Sequence, residues 1–260
     1  MGSQCGSKSK VRRALISMEE GKKIVAIVLA GGQGRRMQSE IPKQYLLLEG
    51  KPVLYYSLMA FEQSCVDEII LVTGEEEIAY CRKEIVEKYR IKKVTGIVAG
   101  GAERYHSVYA GLKECRGCEV VLIHDGARPF LTTEMIERSI EGGKQYQACI
   151  LGMPVKDTIK ISDGNGYVKE TPKRAFVWMV QTPQSFAYQM VYAAYQQLMK
   201  EREEERLVTD DAMVVERFSG VPVRLIEGSY ENIKITTPED LTVARQIARK
   251  YLKRLEDGIT

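Results

Sequence analysis

Seven consecutive apolar residues, Ile24 to Ala30, run directly into a glycine turn, Gly31-Gly32-Gln33-Gly34. A half-exposed strand alternates apolar with polar residues. An unbroken apolar run of strand length belongs in the interior of a parallel sheet, covered on both faces. The segments that follow repeat the theme. Val53 to Cys65 has helical spacing, Glu68 to Thr73 reads as a strand and Glu75 to Tyr89 as a helix. Val94 to Val98 is a third strand and Glu103 to Cys115 a helix. Glu119 to Ile123 is a fourth strand, ending at His124-Asp125-Gly126. Thr132 caps a helix that runs to Tyr146, and Ala148 to Met153 is a further strand.

This alternation predicts an α/β fold with a doubly wound, mostly parallel, Rossmann-like sheet and helices on both faces. Ligands on such sheets bind beyond the carboxyl ends of the strands. Gly31-Gly32, Gly100-Gly101 and Asp125-Gly126 each follow a strand, so three turns converge on one rim. The alternation breaks between Val155 and Val180. Lys156 to Ile161 and Tyr167 to Glu170 read as a β-hairpin around a Gly-Asn-Gly turn. A hairpin alone is marginal in water, so it must pack on something, and a second subunit is one candidate. A helix begins near Tyr188, and the run Glu201 to Arg206 reads as a solvated helix end. A final strand is expected near Asn232 to Thr236, leading through Pro238 into a C-terminal helix. Residues 24–260 are expected to form one domain, with the arm at about 155–175, behind a disordered basic leader over 1–23. Within it, residues 1–17 read as a leader or cloning remnant, with Met18 as a native start.

Charge is unevenly distributed. The net charge of the 260 residues is +3, but residues 1–23 carry +4 and the remainder −1. A nearly neutral body argues against a nucleic-acid binder, which needs a wide basic face. The six cysteines are sparse and irregularly spaced, and Cys115-x-x-Cys118 has no second pair at zinc-site spacing. They read as reduced thiols. No segment approaches the ~20 apolar residues needed to span a bilayer, and residues 1–23 lack the apolar stretch of a signal peptide. The expected location is the cytoplasm, with no membrane partner.

The glycine turn continues as Arg35-Arg36-Met37, and Pro42-Lys43-Gln44-Tyr45 follows. No Walker P-loop pattern is present. The dinucleotide fingerprint also fails, because Met37 stands where its third glycine belongs. What remains is a glycine turn beside Arg36 and, seven residues on, Lys43. Close backbone approach plus fixed cations suits a triphosphate; a loop with solvated basic residues is the alternative. Asp125, at a strand end, reads either as a ligand group or as a turn aspartate. Ser107 reads either as a ligand contact or as a helix serine bonded to its own backbone. Thr209-Asp210-Asp211 lacks the spacing of a D-x-D metal motif and reads as a helix N-cap.

In order along the chain stand Ala30 to Met37, Pro42 to Tyr45, Gly100-Gly101-Ala102-Glu103-Arg104 and His124-Asp125-Gly126-Ala127-Arg128-Pro129. Gln181-Thr182-Pro183-Gln184-Ser185-Phe186, Thr209-Asp210-Asp211 and Asn232 to Thr236 complete the set. The sequence with these motifs resembles the family of cytidylyltransferases that make CDP-alditols, above all the 2-C-methyl-D-erythritol 4-phosphate branch. Ribitol-5-phosphate cytidylyltransferase is a close relative.

The resemblance covers nearly all of the chain from Val25. It implies the nucleotide-diphospho-sugar transferase type of fold, with the hairpin as a dimerisation arm. It implies attack of an alditol phosphate oxygen on the α-phosphorus of CTP, with pyrophosphate leaving and a divalent cation, Mg²⁺ or another, as cofactor. Arg36, Lys43 and Lys234 would be the catalytic cations. CTP would be held around Ala30, Gly31, Gly32, Gly34, Gly101, Ser107 and Asp125. Asp125, Arg128, Thr158 and Arg174 would bind the alditol phosphate, the last two from the arm of a homodimer partner. No protein metal ligand is assigned, with Asp125 the one candidate. Competing readings are a ribitol-5-phosphate enzyme, a nicotinamide oxidoreductase and a non-catalytic nucleotide-binding module. Against the oxidoreductase stand the missing glycine and the extra cations.

Overall fold

The computed structural model describes residues 23–32, 37, 41–202 and 207–256, the last six by backbone only. The first strand, β1 (Lys23–Leu29), begins one residue inside the expected leader. Residues 1–22 lie outside the described ones.

Short strands β2 (Leu47–Leu48) and β3 (Lys51–Pro52) follow, then α1 (Val53–Glu62) and β4 (Glu68–Thr73). α2 (Ile78–Tyr80) continues as a π-helical stretch over Cys81–Glu87, whose wide turns bury Cys81 and Ile85. The expected helix from Glu75 therefore starts later and is not α-helical throughout. Next come β5 (Val94–Ala99), α3 (Arg104–Glu114), β6 (Cys118–Asp125), α4 (Thr133–Tyr146) and β7 (Ala148–Pro154). Thr132 accepts a hydrogen bond from Met135 N–H and caps α4, as its sequence position predicts.

The chain then passes through β8 (Ile161–Ser162), β9 (Val168–Glu170), β10 (Trp178–Ala187), α5 (Tyr188–Leu198) and α6 (Asp211–Ser219). It ends with β11 (Arg224–Glu227) and α7 (Pro238–Glu256).

Seven strands form one sheet in the order β11-β7-β10-β6-β1-β4-β5. Only β10 runs against its neighbours. β1 lies at the interior, paired in parallel with β4 and β6, which is why its sequence is apolar without alternation. Its two faces serve two cores. Ala26 and Val28 pack with Leu54, Leu58 and Phe61 of α1 and Met135 and Ile136 of α4. Val25 and Ile27 pack with Val108 and Leu112 of α3 and Val191 and Tyr195 of α5. Each such large aliphatic side chain, removed from water, contributes about 1.5–3 kcal/mol. The sheet is thus wound on both sides, as the alternation predicts.

Three expectations are corrected. The antiparallel β10 is missing from the sequence reading, because Pro183 inside it argues against a strand; the β10–β7 register shifts between Val180 and Gln184, around that proline. The hairpin is shorter than expected: only Ile161–Ser162 and Val168–Glu170 pair, and Lys156 to Lys160 is not a strand. Its side chains are exposed, and among the described residues no further strand joins the ladder. Finally, Asn232 to Thr236 is not a strand. It is an irregular segment tied to the sheet rim by Ile235 N–H donating to Ala127 O at 2.9 Å and by complete burial of the Ile235 side chain.

Candidate active site

The register of the sheet decides what meets at its carboxyl rim. Leu29 stands opposite Asp125 across the β1–β6 pair. One residue further on, Ala30 N–H donates to Val72 O and Gly126 N–H to Leu29 O, while Gly100 N–H donates to Thr73 O. Three turns are thereby fastened side by side, as the glycines predict. They open on a cavity of about 620 Å³, walled by Ala30, Gly31, Gly32, Gly101, Ser107, Asp125, Lys43 and Lys234 among others. That is the size of a small-molecule site.

The glycines are dictated by close approach. A Cβ on Gly101 would stand 2.4 Å from His106 Cβ, and one on Gly31 would stand 3.2 Å from the Thr73 backbone. The helix reading of Ser107 holds, since its hydroxyl donates to Glu103 O at 3.4 Å; the same hydroxyl accepts from Gly101 N–H at 3.2 Å, and the residue lines the cavity.

Asp125 is the electrostatic centre. Its side chain is 12% exposed, and Lys234 Nζ lies 2.7 Å from Oδ2, Arg104 Nε 3.4 Å from Oδ1 and Arg128 Nε 4.0 Å from Oδ2. Burial pushes its carboxyl up, but Arg104, Lys234 and Arg128 hold it well below the usual carboxylate range. It stays ionised wherever the protein is folded and neutral solution surrounds it.

Its backbone is fixed as firmly. Asp125 N–H donates to Thr182 Oγ1 at 3.0 Å, and that hydroxyl lies 3.0 Å from His124 Nδ1. A carbonyl such as Arg128 O can only accept, so in the neutral ring Nε2 must carry the proton, and Nδ1 is left to accept from the Thr182 hydroxyl. Nε2 donates to Arg128 O at 3.2 Å. His124 is fully buried, and burial lowers its pKa to about 4. It is a neutral orienting residue.

Arg104 is the residue that sequence reasoning missed. It stands in the Gly100 to Arg104 motif but received no role there. Its guanidinium makes two parallel bonds of 2.8 Å to both oxygens of Asp211, a wholly buried carboxylate that also accepts from Tyr195 Oη. Burial opposes the charge on Arg104, yet Asp211 and Asp125 raise its pKa further. Only the bidentate fit of guanidinium to carboxylate signals such a pair, and sequence separation hides it. Gln44, also without an assigned role, reaches from beside Lys43 to Ala30 O and Gly32 O. Asp210, as expected, caps α6 by accepting from Met213 N–H.

Other expected site residues are placed as follows. Arg36 and Gly34 lie outside the described residues. Arg128 does not wall the cavity: its guanidinium donates to Asn232 O at 2.8 Å and to Val180 O at 3.4 Å. Thr158 and Arg174 are exposed and line no part of the cavity; Arg174 donates to Lys156 O at 3.1 Å. Among the described residues, no three His, Cys, Asp or Glu side chains gather as a metal cluster. Cys115 and Cys118 are buried free thiols, and burial pushes the Cys118 thiol up to about 12.

Comparison with known proteins adds an independent line. Residues 24–250 match the family model described as IspD: 2-C-methyl-D-erythritol 4-phosphate cytidylyltransferase. A 2-C-methyl-D-erythritol 4-phosphate cytidylyltransferase of Lachnoclostridium phytofermentans is 49% identical over 230 residues, covering 88% of this chain and 98% of that one. One from Lachnospira eligens is 51% identical over 220 residues, covering 84% and 96%. Among solved structures, the 4-diphosphocytidyl-2C-methyl-D-erythritol synthase of Anaerococcus prevotii superposes with a TM-score of 0.78 at 35% identity, covering 90% of this chain and 99% of that one. The Thermus thermophilus cytidylyltransferase gives 0.70 at 28% identity, covering 86% and 98%.

Proposed function

The chain belongs to the 2-C-methyl-D-erythritol 4-phosphate cytidylyltransferase family and transfers a cytidylyl group from CTP to that alditol phosphate, and from this premise we propose how its residues divide the work. The observation that carries the proposal is one cavity in which a glycine turn, Lys43, Lys234 and Asp125 face the same space.

Cytosine sits against the backbone of Ala30, Gly31 and Gly101, with Ser107 beside it. A slot walled by glycine backbone excludes a purine by size and reads a pyrimidine edge with amides and carbonyls. The triphosphate lies toward Lys43 and Lys234; Arg36 and Gly34, outside the described residues, are proposed as further contacts. The alditol phosphate approaches over Asp125, which accepts from an alditol hydroxyl.

The chemistry follows from charge. A phosphate monoester has its second pKa at ~6 and is mostly dianionic at neutral pH, so it is already a nucleophile and no strong base is needed. One alditol phosphate oxygen forms a bond to the α-phosphorus. The bond from that phosphorus to the β-phosphate oxygen breaks, and pyrophosphate departs with its electron pair. The obstacles are repulsion between polyanions and charge built up in the transition state. Positioned cations lower both. Lys43, Arg36 and Lys234 supply them, and Asp125 holds Lys234 in place until the nucleotide arrives.

The described residues fit a divalent cation carried by the nucleotide rather than caged by protein, since the cavity wall has two carboxylates, Glu103 and Asp125, and Asp125 is already paired with Lys234. When bound, Mg²⁺ neutralises phosphate charge. Arg128 acts by holding Asp125 and the Asn232 carbonyl, with any phosphate contact secondary.

The arm is proposed to dimerise. Tyr167, Val168 and Phe176 are 75%, 61% and 79% exposed, an apolar set that one chain leaves uncovered. Thr158 and Arg174 on the same arm would reach the alditol phosphate in a second copy. Among the described residues no helix is long and apolar enough to cross a membrane; a cytoplasmic location is part of the proposal.

Calorimetric titration of CTP tests the cavity. Lys43→Ala and Lys234→Ala should each weaken binding about tenfold or more, as loss of a charge-assisted contact implies. Unchanged affinity in both would overturn the assignment.

A further inference from the structure

Gln44 lines the cavity yet is only 3% exposed. It belongs to the short 3-10 turn Lys43–Tyr45, which has one side chain for each of three directions. Lys43 faces the cavity. Tyr45 goes down into the sheet, its hydroxyl 2.7 Å from Thr73 Oγ1 and 3.1 Å from Cys81 Sγ. Gln44 goes sideways into the glycine turn: its Nε2 donates to Ala30 O at 2.5 Å and to Gly32 O at 3.2 Å.

Those two bonds use both amide protons on the carbonyls that bracket Gly31. In a trans peptide the C=O and the following N–H point in opposite directions. Pinning the Ala30 carbonyl on Gln44 therefore aims the Gly31 N–H away from Gln44. Gly31 and Gly32 have no side chains to hold them, and both are exposed, so without such a pin this turn would sample many backbone states. From this geometry we infer that Gln44 is a positioning residue for the nucleotide: it locks the glycine turn that reads the base to the turn that carries Lys43. Base slot and phosphate cation then keep a fixed separation, and CTP binds to a preformed cradle. The inference rests on the placement of CTP in this cavity.

The test is steady-state kinetics with CTP and the alditol phosphate varied separately, on wild type, Gln44→Met, Gln44→Asn and Lys43→Ala. Gln44→Met keeps the length and removes both donors; Gln44→Asn keeps the amide but is too short to reach both carbonyls. Both should raise KM for CTP about tenfold or more, as expected for loss of a buried donor pair. KM for the alditol phosphate should stay within about twofold, because that substrate does not touch the pinned turn. The preference for CTP over UTP should fall. A purely structural role would move both KM values together with the thermal midpoint. Parallel shifts, or an unchanged KM for CTP, would overturn the inference. If Gln44→Met does not fold, Gln44→Asn decides by the same criteria. Impairment of Lys43→Ala with intact Gln44 variants would sink this inference alone. Intact Lys43→Ala would sink the placement of CTP itself.

Discussion

The Lys234 ammonium lies 2.7 Å from the Asp125 carboxylate, although one comes from an irregular segment before the last helix and the other from the end of a central strand. Arg104 and Arg128 face the same carboxylate. One anion thus organises three cations at the rim where the triphosphate is proposed to bind. Asp125 is held well below the usual carboxylate range, so it does not titrate near neutrality. The acid limb of kcat/KM for the alditol phosphate should then reflect the substrate's own ionisation at ~6. Asp125→Asn should lower the plateau of that profile without moving its limb. A limb that moves with the substitution would show that Asp125 itself titrates in this range.

Asp211 should matter for stability more than its remoteness from the rim suggests. It is wholly buried and holds Arg104 through two bonds. Asp211→Ala leaves that guanidinium without its main partner and the Tyr195 hydroxyl without an acceptor, a cost of roughly 2–4 kcal/mol. Urea denaturation at neutral pH measures it. A loss below about 0.5 kcal/mol, the usual range for a surface change, would contradict the pairing.

His124 gives stability a pH signature. Its folded pKa is lowered to about 4 from an ordinary 6.5, so between those values the unfolded chain binds more protons than the folded one. Stability from this residue is complete above about pH 6.5 and declines as pH falls toward 4. Denaturation of wild type at pH 7 and pH 5 should show the decline, and His124→Gln should flatten it. Equal slopes in both proteins would mean that the imidazole is not held neutral.

If the arm serves a neighbouring site, two inactive variants should rescue each other. Lys43→Ala and Arg174→Ala, mixed and allowed to exchange subunits, would form hybrids with one intact site. Random pairing then restores about a quarter of wild-type activity. Recovery of nothing above the two parents would place Arg174 in the site of its own chain, or in none.

The parts of this fold that were legible in the sequence are those whose cause is local. β1 is apolar from Ile24 on because it is covered on both faces, and β4 spans Glu68 to Thr73, as its apolar and β-branched residues predict. Thr132 and Asp210 announce their helices through the hydrogen bonds they accept. The rim was legible because glycines mark close backbone approach. What stayed hidden depends on distant partners. β10 is antiparallel and carries a proline, so neither its hydrophobic pattern nor its neighbours identify it. Asn232 to Thr236 has a strand's sequence but is not a strand, and its Ile235 N–H goes to the Ala127 carbonyl beyond the end of β6. Arg104 and Asp211 each stand in a recognisable motif, but the motifs lie 107 residues apart and only folding brings the two side chains together. Arg128 has the look of a phosphate fork, yet the fold turns it onto Asn232 and Val180.

We propose that fixed cations at one rim promote cytidylyl transfer to 2-C-methyl-D-erythritol 4-phosphate. Pyrophosphate release, measured with CTP and each alditol phosphate in turn, tests this most directly. Release with 2-C-methyl-D-erythritol 4-phosphate, falling ~10²–10³-fold in Lys43→Ala, is the predicted result. Release with ribitol 5-phosphate alone, or with neither substrate, would contradict it.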